Sequence, residues 1–131
     1  MTRQPGEQGV YELTPIIDAV RQAAALCRQV QAHYLSHSDK TGQEPVTIAD
    51  YGTQAMICRA LMRHFPGDAV IAEESGAQFL QLVEPEQRRQ IAGLVGGILD
   101  VAVTEADLVE WLDYGQLPEA GQSTPAARTW L

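Results

Sequence analysis

Positive charge and cysteine are both scarce in this sequence. Nine basic residues stand against seventeen acidic ones, which gives a formal net charge of -8 and a pI near 4.7. A field of that sign repels phosphate backbones and anionic lipids, so nucleic acid and a membrane surface are excluded as expected partners. The two cysteines, Cys27 and Cys58, form neither a CxxC pair nor a secreted disulfide framework. Both are predicted to be buried thiols on helices.

Long apolar runs and common catalytic signatures are also absent. No run approaches the roughly 18 apolar residues of a membrane span, and the N-terminal MTRQPGEQG lacks the apolar core of a signal peptide. The three histidines have no metal-ligand spacing with one another or with the cysteines, which argues against zinc. No nucleophile elbow, Walker A loop or dinucleotide fingerprint occurs. The expectation is a soluble, cytoplasmic protein.

The composition that remains is ordinary for a globular domain, because 45% of the 131 residues are hydrophobic and 20% are charged. Residues 1–10 are polar and rich in glycine and proline, which predicts a flexible tail. A helix is expected from about residue 14 to 35, with Thr14 as its cap and Pro15 in its first position. Its core-facing stripe, with alternating steps of four and three, comprises Ile16, Val20, Ala23, Cys27, Val30 and Tyr34.

A second helix is predicted in the segment VTIADYGTQAMICRALMRHFPG. Thr47 is its expected cap, Asp50 follows three residues later, and Pro66-Gly67 ends it. Its apolar face comprises Ile48, Tyr51, Ala55, Cys58, Met62 and Phe65. The short run AVIA that follows is typical of a strand, and it leads directly into Glu73-Glu74.

Two shorter helices and a final strand complete the predicted order. One helix runs from Glu84-Pro85 to about Leu99, weakened by three internal glycines at about 1 kcal/mol each. The other is signalled by Thr104 with Asp107 and is closed by Gly115. A loop over residues 115–125 follows, and the last residues, ARTWL, have the composition of a strand.

The acids around these elements leave two interpretations open when each is taken alone. For Asp50 the local pattern alone favours a helix cap over a functional site, because a first-turn acid completes a capping box and favours the helix dipole. Glu73 and Glu74 could form a solvated strand end or a cation site. Lys40, in the SDK element before the second helix, is either a neighbour of that site or a solvated loop residue.

In combination, SDK, PVTIAD and AEES resemble the lithium-sensitive, magnesium-dependent phosphatase superfamily that includes inositol monophosphatase. The stretch SDKTGQEPVTIADYGTQA is similar to the S-D-K-(x)n-P-V-T-x-A-D-Y-x-x-Q-A pattern of the 3'(2'),5'-bisphosphate nucleotidases, which dephosphorylate phosphoadenosine phosphate. Inositol monophosphatases usually lack the Tyr-Gly-x-Gln-Ala continuation. The resemblance implies an α/β layered sugar-phosphatase fold, of which this chain is the N-terminal portion, with two long helices followed by strands and shorter helices.

The resemblance also implies roles for the three acids. Glu73 corresponds to a magnesium ligand, Glu74 is its neighbour in the same metal site, and Asp50 is the catalytic carboxylate that orients or deprotonates the attacking water. The implied cofactor is Mg²⁺, and the implied substrate is 3'-phosphoadenosine 5'-phosphate. The alternatives are an inositol-monophosphatase-like sugar phosphatase and a non-catalytic acidic interaction module.

The family carries the motif D-P-x-D-G-T after a strand similar to R-x-W-x-L, and this sequence stops at Arg128-Thr129-Trp130-Leu131. Residues 11–131 are therefore expected to be the N-terminal part of the phosphatase domain, truncated before that motif. Because the motif supplies further metal ligands in the family, the 131-residue chain is expected to be inactive alone. It is also expected to self-associate through its unfinished sheet.

Overall fold

A computed structural model describes residues 5–36, 45–115 and 129–131, which together form five helices and two short strands. The predicted positions of Lys40, of the Tyr34 side chain and of the loop over residues 116–125 lie outside the described part. In chain order the elements are α1 (Pro5–Ser36), α2 (Pro45–His64), β1 (Ala69–Val70), α3 (Gly76–Leu82), α4 (Pro85–Leu99), α5 (Glu105–Tyr114) and β2 (Thr129–Trp130).

Helix α1 begins earlier than predicted and buries a different face. It starts at Pro5, so residues 5–10 of the expected tail are helical, and Pro15 lies inside the helix instead of in its first position. The buried stripe comprises Ile16, Ala19, Ala23, Leu26 and Val30. Val20 is 51% exposed and Cys27 is exposed, so the predicted burial of both residues is wrong. The apolar residues of this helix fit two overlapping stripes, and packing against α2 selects the one that contains Leu26.

Helix α2 presents the predicted face to the core. Ile48, Tyr51, Ala55 and Cys58 are buried, as is Phe65 just after the helix, and Met62 is half-buried. Its packing against α1 depends on glycine at position 52, because a Cβ atom there would overlap the Cδ2 atom of Leu26. The glycine thus lets the two longest helices approach closely.

The core consists of two clusters of buried side chains. The larger joins all five helices, and its fully buried members include Leu26, Ile48, Met56, Phe79, Ile91, Val95, Leu108 and Leu112. The smaller lies between α1, α2 and the strands, and it includes Ile16, Cys58, Leu61, Phe65 and Val70, with Trp130 packed against it. Cys58 belongs to the core, as predicted, whereas Cys27 does not.

Strands β1 and β2 form a parallel pair. Ala69 lies opposite Thr129 and Val70 lies opposite Trp130, and the amide of Ile71 donates to the carbonyl of Trp130 at 2.8 Å. Both predicted strands are present, although each is only two residues long. Immediately after β1, the amide of Ala72 donates to the carbonyl of Gly115 at 2.7 Å, which joins the end of the strand to the end of α5.

The three shorter helices show how local signals determine helix ends. Helices α4 and α5 have the predicted bounds, and the Thr104 hydroxyl accepts from the Asp107 amide at 3.1 Å while the Asp107 carboxylate accepts from the Thr104 amide at 2.9 Å. Helix α3 was not predicted from the sequence. Its signal is the Ser75-x-x-Gln78 capping box, in which the Ser75 and Gln78 side chains each accept a backbone hydrogen bond from the other residue.

Candidate metal-binding active site

Asp50 lies in the second turn of α2, with its side chain exposed to solvent. Because α2 begins at Pro45, its first turn contains no acidic residue, and Thr47 is a helical residue instead of the cap. The capping-box explanation of Asp50 is therefore wrong. Of the two interpretations of Asp50, the functional one remains.

Glu73 and Glu74 lie in the short connection between β1 and α3. The Ala72 amide is bonded to α5 just before them, and Ser75 caps α3 just after them. Both ends of the connection are thus fixed by backbone hydrogen bonds. The two acids differ in their surroundings, because Glu73 is exposed and Glu74 is half-buried.

The side-chain amide of Gln54, on α2, holds the backbone of Glu74 from both sides. Its Nε2 donates to the Glu74 carbonyl at 2.6 Å, and its Oε1 accepts from the Glu74 amide at 2.9 Å. This pairing resembles the bonding of a neighbouring strand, since one planar group satisfies both a donor and an acceptor of the main chain. It attaches the connection after β1 directly to the helix that carries Asp50.

Tyr51 makes the second contact between α2 and this connection. Its hydroxyl is hydrogen-bonded to the Glu74 carboxylate, and its ring packs against Phe79 with centroids 5.4 Å apart. Burial raises the pKa of Tyr51, and the negative charges of Glu74 and Asp50 raise it further. The phenol is therefore a neutral donor near pH 7.

The surroundings of Glu74 raise the pKa of its carboxyl group. Burial raises it first, the charges of Glu73 and Asp50 raise it further, and the hydrogen bond from Tyr51 lowers it in part. Among the described residues, the ion pairs are Asp18 with Arg21 and Arg88 with Glu105. Neither Asp50 nor Glu73 is paired with a cationic side chain in this part of the chain.

These carboxylates match the ligand preference of Mg²⁺, which binds oxygen atoms and retains several waters. The described residues do not supply a complete set of ligands, because no three of their histidine, cysteine, aspartate and glutamate side chains are grouped closely enough to hold a metal ion. Asp50 and Glu73 do not by themselves form a cation site within the described residues. No helix among the described residues is long and apolar enough to span a membrane.

Comparison with known proteins adds the family context. A relative from Arabidopsis thaliana, named as a mitochondrial 3'(2'),5'-bisphosphate nucleotidase, is 33% identical over 122 residues, which cover 85% of this chain and 30% of the relative. The 3'(2'),5'-bisphosphate nucleotidase of Oryza sativa is 27% identical over 142 aligned residues, which cover 100% of the chain and 38% of the relative. The chain is similar to 3'(2'),5'-bisphosphate nucleotidases.

The similarity extends to a fungal nucleotidase, that of Emericella nidulans, which is 31% identical over 101 residues covering 76% of the chain and 27% of the relative. The chain thus spans about a third of the length of the nucleotidases that it matches. No protein-family model matches it. The mostly helical structure, with a short parallel strand pair, is compatible with part of an α/β phosphatase.

Two residues of the nucleotidase-like motif had no predicted role in the site. Tyr51 was assigned to the buried face of the second helix and Gln54 only to the Tyr-Gly-x-Gln-Ala continuation, yet both contact Glu74. A signal was available, because Gln54 follows Asp50 by four residues and therefore shares its helix face. The spacing could not reveal that the Gln54 side chain binds the backbone of Glu74.

Proposed function

We propose that this chain contributes Asp50, Glu73 and Glu74 to the active site of a Mg²⁺-dependent 3'(2'),5'-bisphosphate nucleotidase with a layered sugar-phosphatase fold. The proposed reaction is hydrolysis of 3'-phosphoadenosine 5'-phosphate to AMP and phosphate. The observation that carries the proposal is that Gln54, one turn after Asp50 on α2, is hydrogen-bonded to the backbone of Glu74, which holds the helix that carries Asp50 against the connection that carries Glu73. The names of the similar nucleotidases support the substrate class.

The charges explain why such a site requires a cation. A phosphate approaching bare carboxylates is repelled by about 1 kcal/mol per pair of unit charges at 4 Å in water, and by more at a lower effective dielectric. A bound Mg²⁺ would supply the opposite charge and lower the pKa of a coordinated water. Glu73 is exposed and has no cationic partner among the described residues, so its carboxylate is available as a ligand.

In this proposal, Asp50 acts on the attacking water. Its exposed carboxylate would accept a hydrogen bond from that water, orient one lone pair toward the phosphorus atom and receive the proton as the new P–O bond forms. The bond from phosphorus to the ribose 3' oxygen breaks in the same step, and the leaving oxygen takes a proton from solvent. Orientation of the water and transfer of its proton both require that Asp50 keep a fixed position relative to Glu73. Because the described carboxylates form only part of a ligand set, we expect the 131-residue chain alone to turn over substrate very slowly.

Cation titration of the 131-residue chain tests the proposal. Mn²⁺ binding, followed by electron paramagnetic resonance as a substitute for Mg²⁺, should weaken about tenfold in Glu73→Gln and in Asp50→Asn. Glu110→Gln is the matched control, because Glu110 is also an exposed acid but lies on α5. Equal affinity in all four proteins would refute the metal site.

The substrate part of the proposal is tested by phosphate release. Magnesium-dependent release from 3'-phosphoadenosine 5'-phosphate should exceed release from inositol 1-phosphate, and Glu73→Gln should abolish it. A preference for inositol 1-phosphate would favour the inositol-monophosphatase-like alternative.

A further inference from the structure

The two adjacent glutamates after β1 occupy different environments. Glu73 is exposed, whereas Glu74 is half-buried, with its backbone bonded to Gln54 and its carboxylate bonded to Tyr51. We infer that Gln54 and Tyr51 are positioning residues that fix Glu74, so that the Glu73 carboxylate faces the cation beside Asp50. This inference rests on the proposed function and assigns different tasks to two acids that the sequence placed together in one metal site.

Gln54 fixes the spacing between the two functional carboxylates. It lies one helical turn after Asp50, and its amide reaches the residue next to Glu73. The path from Asp50 to Glu73 therefore runs through one turn of helix, one rigid amide group and one peptide unit. A path of that length leaves little freedom for the separation of the two carboxylates.

Tyr51 fixes the direction of the Glu74 side chain. Its ring is buried and packed on Phe79, so its hydroxyl has a defined position from which to bind the Glu74 carboxylate. A carboxylate held in this way has one oxygen already engaged. Glu74 then serves as an anchor for the connection, and its neighbour is left to bind the cation.

The arrangement also accounts for the consecutive residues of the motif. In DYGTQA, Asp50 is the proposed water-binding acid, while Tyr51 and Gln54 hold Glu74. Gly52 permits the close approach of Leu26, and the fully buried Ala55 fills the core. The remaining residue, Thr53, donates its hydroxyl to the Ala49 carbonyl at 2.6 Å within α2 and contacts neither glutamate in this way. Thr53 is thus a natural control position between the two positioning residues.

The first measurement needs no cation. Hydrogen exchange of the Glu74 amide, followed by NMR, should accelerate about tenfold in Gln54→Met, which keeps the length of the side chain but loses both hydrogen bonds. Thr53→Ala should leave that exchange rate unchanged. An unchanged rate in Gln54→Met would show that the bond to Glu74 is absent in solution, and the inference would be overturned.

The second measurement asks whether Gln54 acts through Glu73. Gln54→Met should weaken Mn²⁺ binding about tenfold in the unaltered chain, and Tyr51→Phe should weaken it in the same direction. In the Glu73→Gln background, Gln54→Met should cause no further loss, because the ligand that it positions is gone. Circular dichroism of each variant checks that the helices are retained.

The outcomes distinguish a failure of the positioning role from a failure of the proposed function. If Glu73→Gln does not affect Mn²⁺ affinity, the proposed function fails, and the positioning role fails with it. If Glu73→Gln weakens binding but Gln54→Met does not, although amide exchange shows that the bond is lost, only the positioning role is overturned. An equal loss from Gln54→Met with and without Glu73 would mean that Gln54 supports folding generally.

Discussion

The indole Nε1 of Trp130 donates a hydrogen bond to the Asp68 Oδ2 atom at 2.9 Å, across 62 positions of the sequence. Asp68 is buried at the start of β1, and the Trp130 ring also packs against Phe65 with centroids 5.3 Å apart. The pair therefore links the end of α2, the first strand and the last described residues. It holds β2 against the smaller core cluster.

Removing this hydrogen bond should destabilise the fold. Trp130→Phe retains an aromatic ring against Phe65 but loses the indole donor to a buried carboxylate, so we expect the free energy of unfolding to fall by about 1 to 3 kcal/mol. Urea denaturation followed by circular dichroism measures the change. Leu131→Ala, at a position that is 98% exposed, is the control and should stay within about 0.5 kcal/mol. Equal stability of both variants would show that the bond contributes nothing.

The two cysteines should react very differently with a thiol reagent. Cys27 is exposed, while burial raises the pKa of Cys58 from 9.0 to about 11. At pH 8 the native chain should therefore label rapidly at Cys27 and only after unfolding at Cys58, with sites assigned by mass spectrometry. In Cys27→Ser, native labelling should nearly disappear. Fast modification of Cys58 in that variant would contradict the packing of the smaller core cluster.

Two glycine-to-alanine substitutions should have opposite effects on stability. At Gly52 the new methyl group would overlap Leu26 in the core, and we expect a loss of about 1 to 3 kcal/mol. At Gly93, on the exposed side of α4, no atom lies within 4 Å of the added Cβ. Alanine there should stabilise the chain by about 0.5 to 1 kcal/mol through helix propensity. Thermal unfolding measures both, and destabilisation of equal size would contradict the described packing.

The carboxyl pKa of Glu74 should fall when either neighbouring acid is neutralised. Glu73 and Asp50 both raise it, so Glu73→Gln and Asp50→Asn should each lower it, the first by more. Carbon-13 NMR of the carboxyl group during a pH titration measures the value. Glu110→Gln should leave it unchanged. A constant Glu74 pKa in all variants would mean that the three acids do not converge.

The same shift predicts the sign of a pH effect on stability. A raised pKa means that Glu74 binds its proton more tightly in the folded chain than in the unfolded one. Its contribution to stability is therefore fully present below the ordinary value of 4.5 and is lost as pH rises through the folded pKa. Tyr51→Phe should enlarge this loss, since the hydroxyl stabilises the ionised form of Glu74.

The bounds of α4 and α5 could be predicted because their signals are local. Thr104, Asp107 and Gly115 contact backbone groups within a few residues of themselves, so sequence spacing contains the relevant geometry. The predicted start of α1 is wrong, although it also rested on a local signal. Thr14-Pro15 has the pattern of a helix start, but such a pattern does not prevent a helix from beginning earlier, and here it begins at Pro5.

The buried face of α1 and the contacts around Glu74 depend on partners that are distant in sequence. Leu26 is buried instead of Cys27 because α2 presents Gly52 opposite it, and the pattern of α1 alone contains no trace of that glycine. Similarly, Gln54 and Glu74 lie 20 residues apart. The resemblance to the nucleotidases indicated Asp50 and Glu73, whereas the contact of Gln54 with Glu74 could be found only from the arrangement of the chain.

The parallel pairing of β1 and β2 has a consequence for the order of folding. Each strand has only two residues, which is too short for independent stability, and their pairing closes a loop that contains α3, α4 and α5. The entropy lost on closing such a loop must be offset by contacts that already exist, and the packed helices provide them. We therefore expect the strands to pair after the helices have assembled, and in a Trp111→Phe variant the rate at which the Trp130 fluorescence reaches its native value would report that step.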